Sequence, residues 1–196
     1  MKRLLAIPSP TLISEYAAKF EQLPDVTASD QAISKAFQTF PRNDRIEEVL
    51  LKVSVLNSLY STSILALYKV AAHIHGLQID TKLAQQSLDV VEEIAQISIN
   101  GKTRRNYSFA SKYCSWHAPD FYPIYDGYVG GLLWAYQQQD RFGNFRLEEL
   151  KNYTQYKAVH NQFSQHYGLM TFTAKQVDKF LWLYGKEWAV VSKTVQ

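Results

Sequence analysis

Where glycine and proline fall constrains this chain more than any other feature. Glycine occurs eight times and proline six times in 196 residues, and both lie mainly between segments of helical period. That is the pattern of helices joined by short turns, because both residues interrupt helices and mark turns. Ser9-Pro10 opens a first helix over roughly 10–22, with proline in the first turn, where its missing N–H costs nothing. Leu23-Pro24-Asp25 closes it, and a second helix is predicted from near Ser29-Asp30 to just before Pro41. From Arg45 to Leu59 the apolar residues Val49, Leu50, Leu51, Val53, Val55, Leu56 and Leu59 run almost all round, as in a helix central to a fold. Ser61-Thr62-Ser63 is read as the cap of a helix reaching about His75 and ending at Gly76. Further helices are predicted over about 80–97 (stopping near Asn100-Gly101), 126–138, 147–167 and 173–188, with a polar loop at 140–144. In the last of these, Val177, Phe180, Leu181, Tyr184 and Trp188 share one face and predict core. No alternating strand pattern, repeat or low-complexity linker stands out. The expectation is a single compact all-α domain over 1–196.

Composition narrows the function classes. Hydrophobic residues at 46% and charged residues at 20% describe an ordinary folded protein. The aromatic content, 14%, suits both a packed core and a surface that stacks on bases. A net charge of +3 and a pI of about 8.8 fit a nucleic-acid partner without requiring one. Cys114 is the only cysteine, which excludes an internal disulfide and an iron–sulfur cluster held by four cysteines. His73-x-His75 sets two imidazoles on opposite sides of a helix, poor geometry for one metal. No cofactor or metal is expected. The segment Met1–Pro8 is too short for a signal-peptide core, and no run of 18 apolar residues occurs. The chain therefore reads as cytoplasmic, with no membrane segment, and as nucleoid-associated in a bacterium if it binds DNA.

Chemistry concentrates between residues 98 and 130. Phe109, Ala110, Tyr113, Cys114 and His117 form one largely apolar helical stripe, and Ser108, Ser111, Lys112 and Ser115 form the opposite one. The polar stripe is expected to face outward or into a cleft. Pro119 and Pro123 interrupt the chain and leave Asp126 at the start of the next helix, facing backbone N–H groups and the positive end of the dipole.

These residues resemble the catalytic core of helix-hairpin-helix (HhH-GPD) DNA glycosylases. Adenine-mismatch members end the core in Phe-Pro-Ile-Leu-Asp-Gly-Asn-Val, and this chain has Tyr122-Pro-Ile-Tyr-Asp-Gly-Tyr-Val129. Ser108 stands 18 positions before Asp126, the spacing of the Lys/Ser slot in the adenine-mismatch and endonuclease III-like members, with no gap. Upstream, Leu56-Asn-Ser-Leu-Tyr-Ser-Thr62 is similar to Leu-Leu-Ser-Ala-Gln-Ala-Thr, which sets Tyr60 where the family has the glutamine that fills the gap left by a flipped base. The similarity extends over about 80 of the 196 residues. Two features depart from the family: Lys102-Thr-Arg-Arg-Asn106 replaces the Gly-x-Gly hairpin turn after Gly101, and the iron–sulfur cluster is absent, leaving a chain closer to a small bacterial protein of 8-oxoguanine-glycosylase fold.

The resemblance implies a fold and a chemistry. Asp126 takes the carboxylate role, stabilising the oxocarbenium-like sugar as a flipped base leaves. Ser108 implies a monofunctional enzyme in which water attacks. Lys112, one turn further along, is a second candidate, through a Schiff base and strand nicking; otherwise it contacts a phosphate or solvent. Gly101, Lys102, Thr103, Arg104 and Arg105 form the expected DNA-facing loop, its cations standing in for the lost turn amides, and Tyr60 is the gap-filler. Trp116, His117, Tyr122, Tyr125 and Tyr128 are candidates for a base pocket; packing also accounts for these aromatics, and His117 also reads as a structural histidine. The function implied is excision of an unusual or modified base from double-stranded DNA, in DNA repair or in defence against modified phage or other foreign DNA. Two alternatives stay open: a non-catalytic nucleic-acid-binding module of the same fold, and a helical protein-interaction domain.

Overall fold

The computed structural model describes residues 4–99 and 101–194. Met1–Arg3 and Asn100, on which the signal-peptide reading and the end of one predicted helix partly rest, lie outside the described residues. The described chain is predominantly helical, and none of its helices is long and apolar enough to cross a membrane. Internal packing divides the chain into two compact units, a central one, Pro24–Ile124, and a terminal one, Met1–Leu23 with Tyr125–Gln196.

The terminal unit is built from α1 (Pro10–Glu21), α8 (Gly127–Asp140), a 3-10 turn (Leu147–Lys151), α9 (Tyr153–His166) and α10 (Ala174–Thr194). Ser9 caps α1, its hydroxyl accepting from Leu12 N at 3.2 Å, with Pro10 in the first turn. Helix α10 packs on α1 and α8. Val177, Phe180 and Leu181 are fully buried, whereas Tyr184 and Trp188 stay partly exposed. Contact between α8 and α10 is close at Gly185, where a Cβ would lie 2.9 Å from the Tyr128 carbonyl oxygen. The predicted 147–167 helix is interrupted because Asn152 restarts it, its side chain accepting from Gln155 N at 3.0 Å.

The central unit holds α2 (Pro24–Thr39), α3 (Ile46–Tyr60), α4 (Leu67–Gly76), α5 (Asp80–Ala84), α6 (Asp89–Ala95), strands β1 (Gln96–Ile99) and β2 (Lys102–Arg105), and α7 (Tyr107–His117). Helix α3 is its hub, packed by α2, α4 and α7. It buries Val49, Lys52, Val53 and Leu56 at helical spacing, but Leu51 and Leu59 are exposed, so the expectation of all-round burial is corrected to one stripe. Helix α2 starts at Pro24 rather than near Ser29, proline being tolerated in a first turn.

Three other expectations are corrected here. Ser61-Thr62-Ser63 does not cap α4, which starts at Leu67. Ser61 and Ser63 instead adopt left-handed backbone (φ 49° and 59°), and Asn57 fastens the loop by accepting from Ile64 N and the Thr62 hydroxyl, both at 2.8 Å. The predicted 80–97 helix is broken into α5 and α6 by Gln86, also left-handed at φ 56°. Finally, the chain does contain strands. β1 and β2 pair antiparallel from Gln96↔Arg105 to Ile99↔Lys102, so the expected DNA-facing loop is the second arm of a β-hairpin, with Gly101 at φ 75° in its turn.

Candidate functional site

Asp126 is the N-cap of α8. Its backbone is extended (φ −147°, ψ 177°) and Oδ1 accepts from Val129 N at 3.0 Å. One oxygen is thereby fixed by the helix amide, at the positive end of the helix dipole. The carboxylate is partly exposed. Neighbouring Tyr125 meets Tyr156 edge-on at 5.2 Å and lies over Gly130, where an added Cβ would be 3.1 Å from its ring. Tyr128, the other aromatic of this stretch, is 44% exposed.

In the central unit, α7 carries the remaining chemistry. Its apolar stripe is buried as expected through Phe109, Ala110, Tyr113 and Cys114, with His117 partly exposed. The opposite stripe does not face outward: Ser111, Lys112 and Ser115 are buried too, and Ser108 is half-buried. Small hydroxyls make this possible, because each can bond the helix's own carbonyls, as Ser111 Oγ does to Ser108 O at 3.0 Å. Lys112 Nζ donates to Ser108 Oγ at 2.6 Å and lies 5.6 Å from the centre of the Tyr60 ring. The Tyr60 hydroxyl in turn donates to Asp30 at 3.2 Å. Three sequence candidates, Tyr60, Ser108 and Lys112, are thus brought together inside one unit.

The cations of the β-hairpin do not act alike. Arg105 is committed: its guanidinium bonds both Glu92 carboxylate oxygens, at 3.0 and 2.7 Å, and lies 4.2 Å over the Tyr107 ring. Lys102 and Arg104 share the strand's other face and are exposed, with no ion-pair partner among the described residues. The three-cation cluster expected from the sequence is corrected to two available charges.

The candidate pocket aromatics of the central unit are held by packing contacts. Tyr122 is fully buried, its hydroxyl donating to Ser87 O at 3.0 Å, and burial pushes its phenol well above the usual range. Trp116 packs near Phe37, at 6.3 Å. His73 and His75 each bond a different backbone carbonyl, Glu93 O at 2.8 Å and Asp44 O at 3.1 Å.

His117 belongs to a polar cluster that no motif pointed to. At its centre is Asn43, buried and using every bond its amide can make. Oδ1 accepts from Lys52 Nζ at 2.8 Å and the Tyr113 hydroxyl at 2.6 Å; Nδ2 faces Asp80 Oδ1 at 2.6 Å and His117 Nε2 at 3.3 Å. Lys52 also donates to Arg42 O at 2.7 Å, and burial lowers its pKa to about 8 despite Asp80 nearby. Burial, and secondarily the Lys52 charge, lowers His117 to about 3. His117 therefore stabilises the fold as neutral imidazole above pH 6.5, and that stability is lost as pH falls from 6.5 towards 3. From pH 6.5 to 5 the loss is expected to reach about 2 kcal/mol relative to a His117→Gln variant, measured by urea unfolding at each pH. Parallel pH profiles for the two proteins would contradict this.

Residues 12–121 match the model of the HI_0787_N family, described as an N-terminal domain, and the chain belongs to that family. The match takes in most of α1, all of the central unit's helices and the β-hairpin, and stops short of Asp126. The chain is also similar to a Haemophilus influenzae protein described as uncharacterized, 41% identical over 143 residues, which is 72% of this chain and 68% of that protein. No solved structure matches.

Proposed function

For this member of the HI_0787_N family we propose a DNA glycosylase that flips out an unusual or modified base and hydrolyses its N-glycosidic bond, in DNA repair or in defence against modified foreign DNA. The observation that carries this reading is Asp126, a carboxylate clamped by a helix amide through one oxygen, at the end of Tyr122-Pro-Ile-Tyr-Asp126. Water adds at C1′ as the C1′–N bond breaks, the bonding pair leaves with the base, and the water proton passes to base or solvent. Positive charge builds on the sugar meanwhile, and a fixed carboxylate stabilises it without reorganising. Base flipping is needed because C1′ is not reachable in a stacked duplex. Asp126, with Ser108 in the slot that bifunctional relatives fill with lysine, favours water as the nucleophile. On this reading the protein acts in the cytoplasm, at the nucleoid of a bacterium.

Lys102 and Arg104 supply the phosphate contacts. Two such contacts give a log–log slope of affinity against salt of about −1.8. Titration of a fluorescent duplex at several salt concentrations measures it, and Lys102→Ala is expected to bring it to about −0.9. An unchanged slope in the Lys102→Ala and Arg104→Ala variants would remove the β-hairpin from the DNA interface.

Lys112 is held by Ser108 Oγ and is not assigned as the nucleophile. Borohydride added during turnover is expected to trap no covalent protein–DNA adduct; an adduct lost in Lys112→Met would reverse that assignment. The reading as a whole is tested by treating DNAs carrying varied lesions with wild type and Asp126→Asn, then with hot alkali. Strand breaks from wild type alone support it.

A second reading, a DNA-binding module without turnover, is favoured by two observations: Arg105 is occupied by Glu92, and paired strands stand where a helical hairpin would offer turn amides. Salt-dependent binding with no alkali-labile sites across the panel would select it.

A further inference from the structure

The cluster around Asn43 borders an open surface cleft of about 780 Å³ formed entirely within the central unit. Asp80 and His117 stand in its wall, with apolar surface from Pro41, Leu83, Ala84 and Ala118 around them. The hydrogen bonds determine what the two polar groups offer. The Lys52 ammonium can only donate to Asn43 Oδ1 and the Asp80 carboxylate can only accept from Nδ2, so the amide orientation is fixed and Nδ2 is the atom facing His117. His117 Nε2 therefore accepts, and the ring, neutral at pH 7, carries its proton on Nδ1. Among the described residues Nδ1 has no hydrogen-bond partner. Asp80 receives one bond on each oxygen, both from Asn43, and keeps further lone pairs. The wall thus holds an acceptor on Asp80 and a donor on His117, both fixed by Asn43.

Charge then selects the ligand. Asp80 disfavours an anion, Lys52 behind it disfavours a cation, and Arg42 at the rim is neutralised by Asp44 at 2.7 Å. What remains is a neutral ligand whose edge sets a donor next to an acceptor and whose faces are flat enough for an apolar wall. Nucleobases have that edge. We propose that this cavity binds a neutral nucleobase or nucleoside, its N–H donating to Asp80 and its carbonyl or ring nitrogen accepting from His117 Nδ1–H. The site is formed by residues of the central unit alone and does not depend on glycosylase activity.

The test is calorimetric titration of the full chain with guanosine, adenosine, cytidine and uridine, with ribose alone as a further ligand. At least one nucleoside is expected to saturate the protein at millimolar concentration and to shift the His117 ring resonances, while ribose does neither. Asp80→Asn is expected to weaken binding at least tenfold by removing a charged acceptor. Because Asp80 also holds Asn43, Ala84→Trp serves as a second variant: it fills the cavity from an exposed position, so it is expected to lose binding with its melting temperature unchanged. Failure of every nucleoside to saturate, equal binding of ribose, or full-strength binding in Ala84→Trp would each overturn the proposal.

Discussion

Replacing Asp126 by asparagine is expected to slow base release by roughly 10²–10³-fold while leaving the fold intact. The two effects separate because asparagine caps a helix as well as aspartate does, so the bond to Val129 N survives and only the charge is removed. Asp126→Ala removes the cap as well and is expected to cost about 1 kcal/mol of stability in addition. Single-turnover release on a susceptible duplex, with thermal unfolding of both variants, makes the distinction. Unaltered turnover in Asp126→Asn would reduce Asp126 to a helix cap.

The largest stability effect is expected at Asn43. Asn43→Ala removes one bond each from the buried Lys52 ammonium, the Tyr113 hydroxyl and the Asp80 carboxylate, and is expected to cost about 3–5 kcal/mol in urea unfolding. A loss of that size is a large part of a typical domain's stability. Lys52→Met is expected to cost markedly less. It removes a charge already expensive to bury and substitutes an apolar chain of similar length. The pH dependence carries the same signature. With its folded-state pKa lowered to about 8, Lys52 gives up its proton in the folded protein before it does in the unfolded chain. Stability relative to Lys52→Met therefore rises with pH, by about 2 kcal/mol between pH 7 and 10. Equal costs for Asn43→Ala and Lys52→Met would mean that Asn43 does not organise the cluster.

The parts of this molecule governed by local chemistry were legible in the sequence. Pro123 and Asp126 announce the start of α8, and the apolar stripe of α7 follows from spacing alone. The β-hairpin left a signal that helical period masked: Ile97 and Ile99 alternate with Gln96 and Ser98 before Asn100-Gly101, the dipeptide most favoured in two-residue hairpin turns. Lys52 also left a trace, standing three residues after Val49 and four before Leu56 on the stripe that α3 buries. An apolar run on all sides of the helix hides that position among its neighbours. Other features have no local signature. Burial of Lys112 beside Tyr60 comes from packing between α3 and α7, and the pairing of Asn43 with Asp80 joins residues 37 apart. Nothing local separates Arg105 from Lys102; only the fold brings Glu92 and Tyr107 to Arg105.

Release of a free base is the defining product of a glycosylase, so mass-spectrometric detection of bases freed by the wild-type chain from a panel of lesion-bearing and modified duplexes tests the proposed function most directly. At least one modified base is expected to appear in solution, matched by an equal amount of abasic DNA. Salt-dependent binding to the same duplexes, with no base released from any of them, would contradict it.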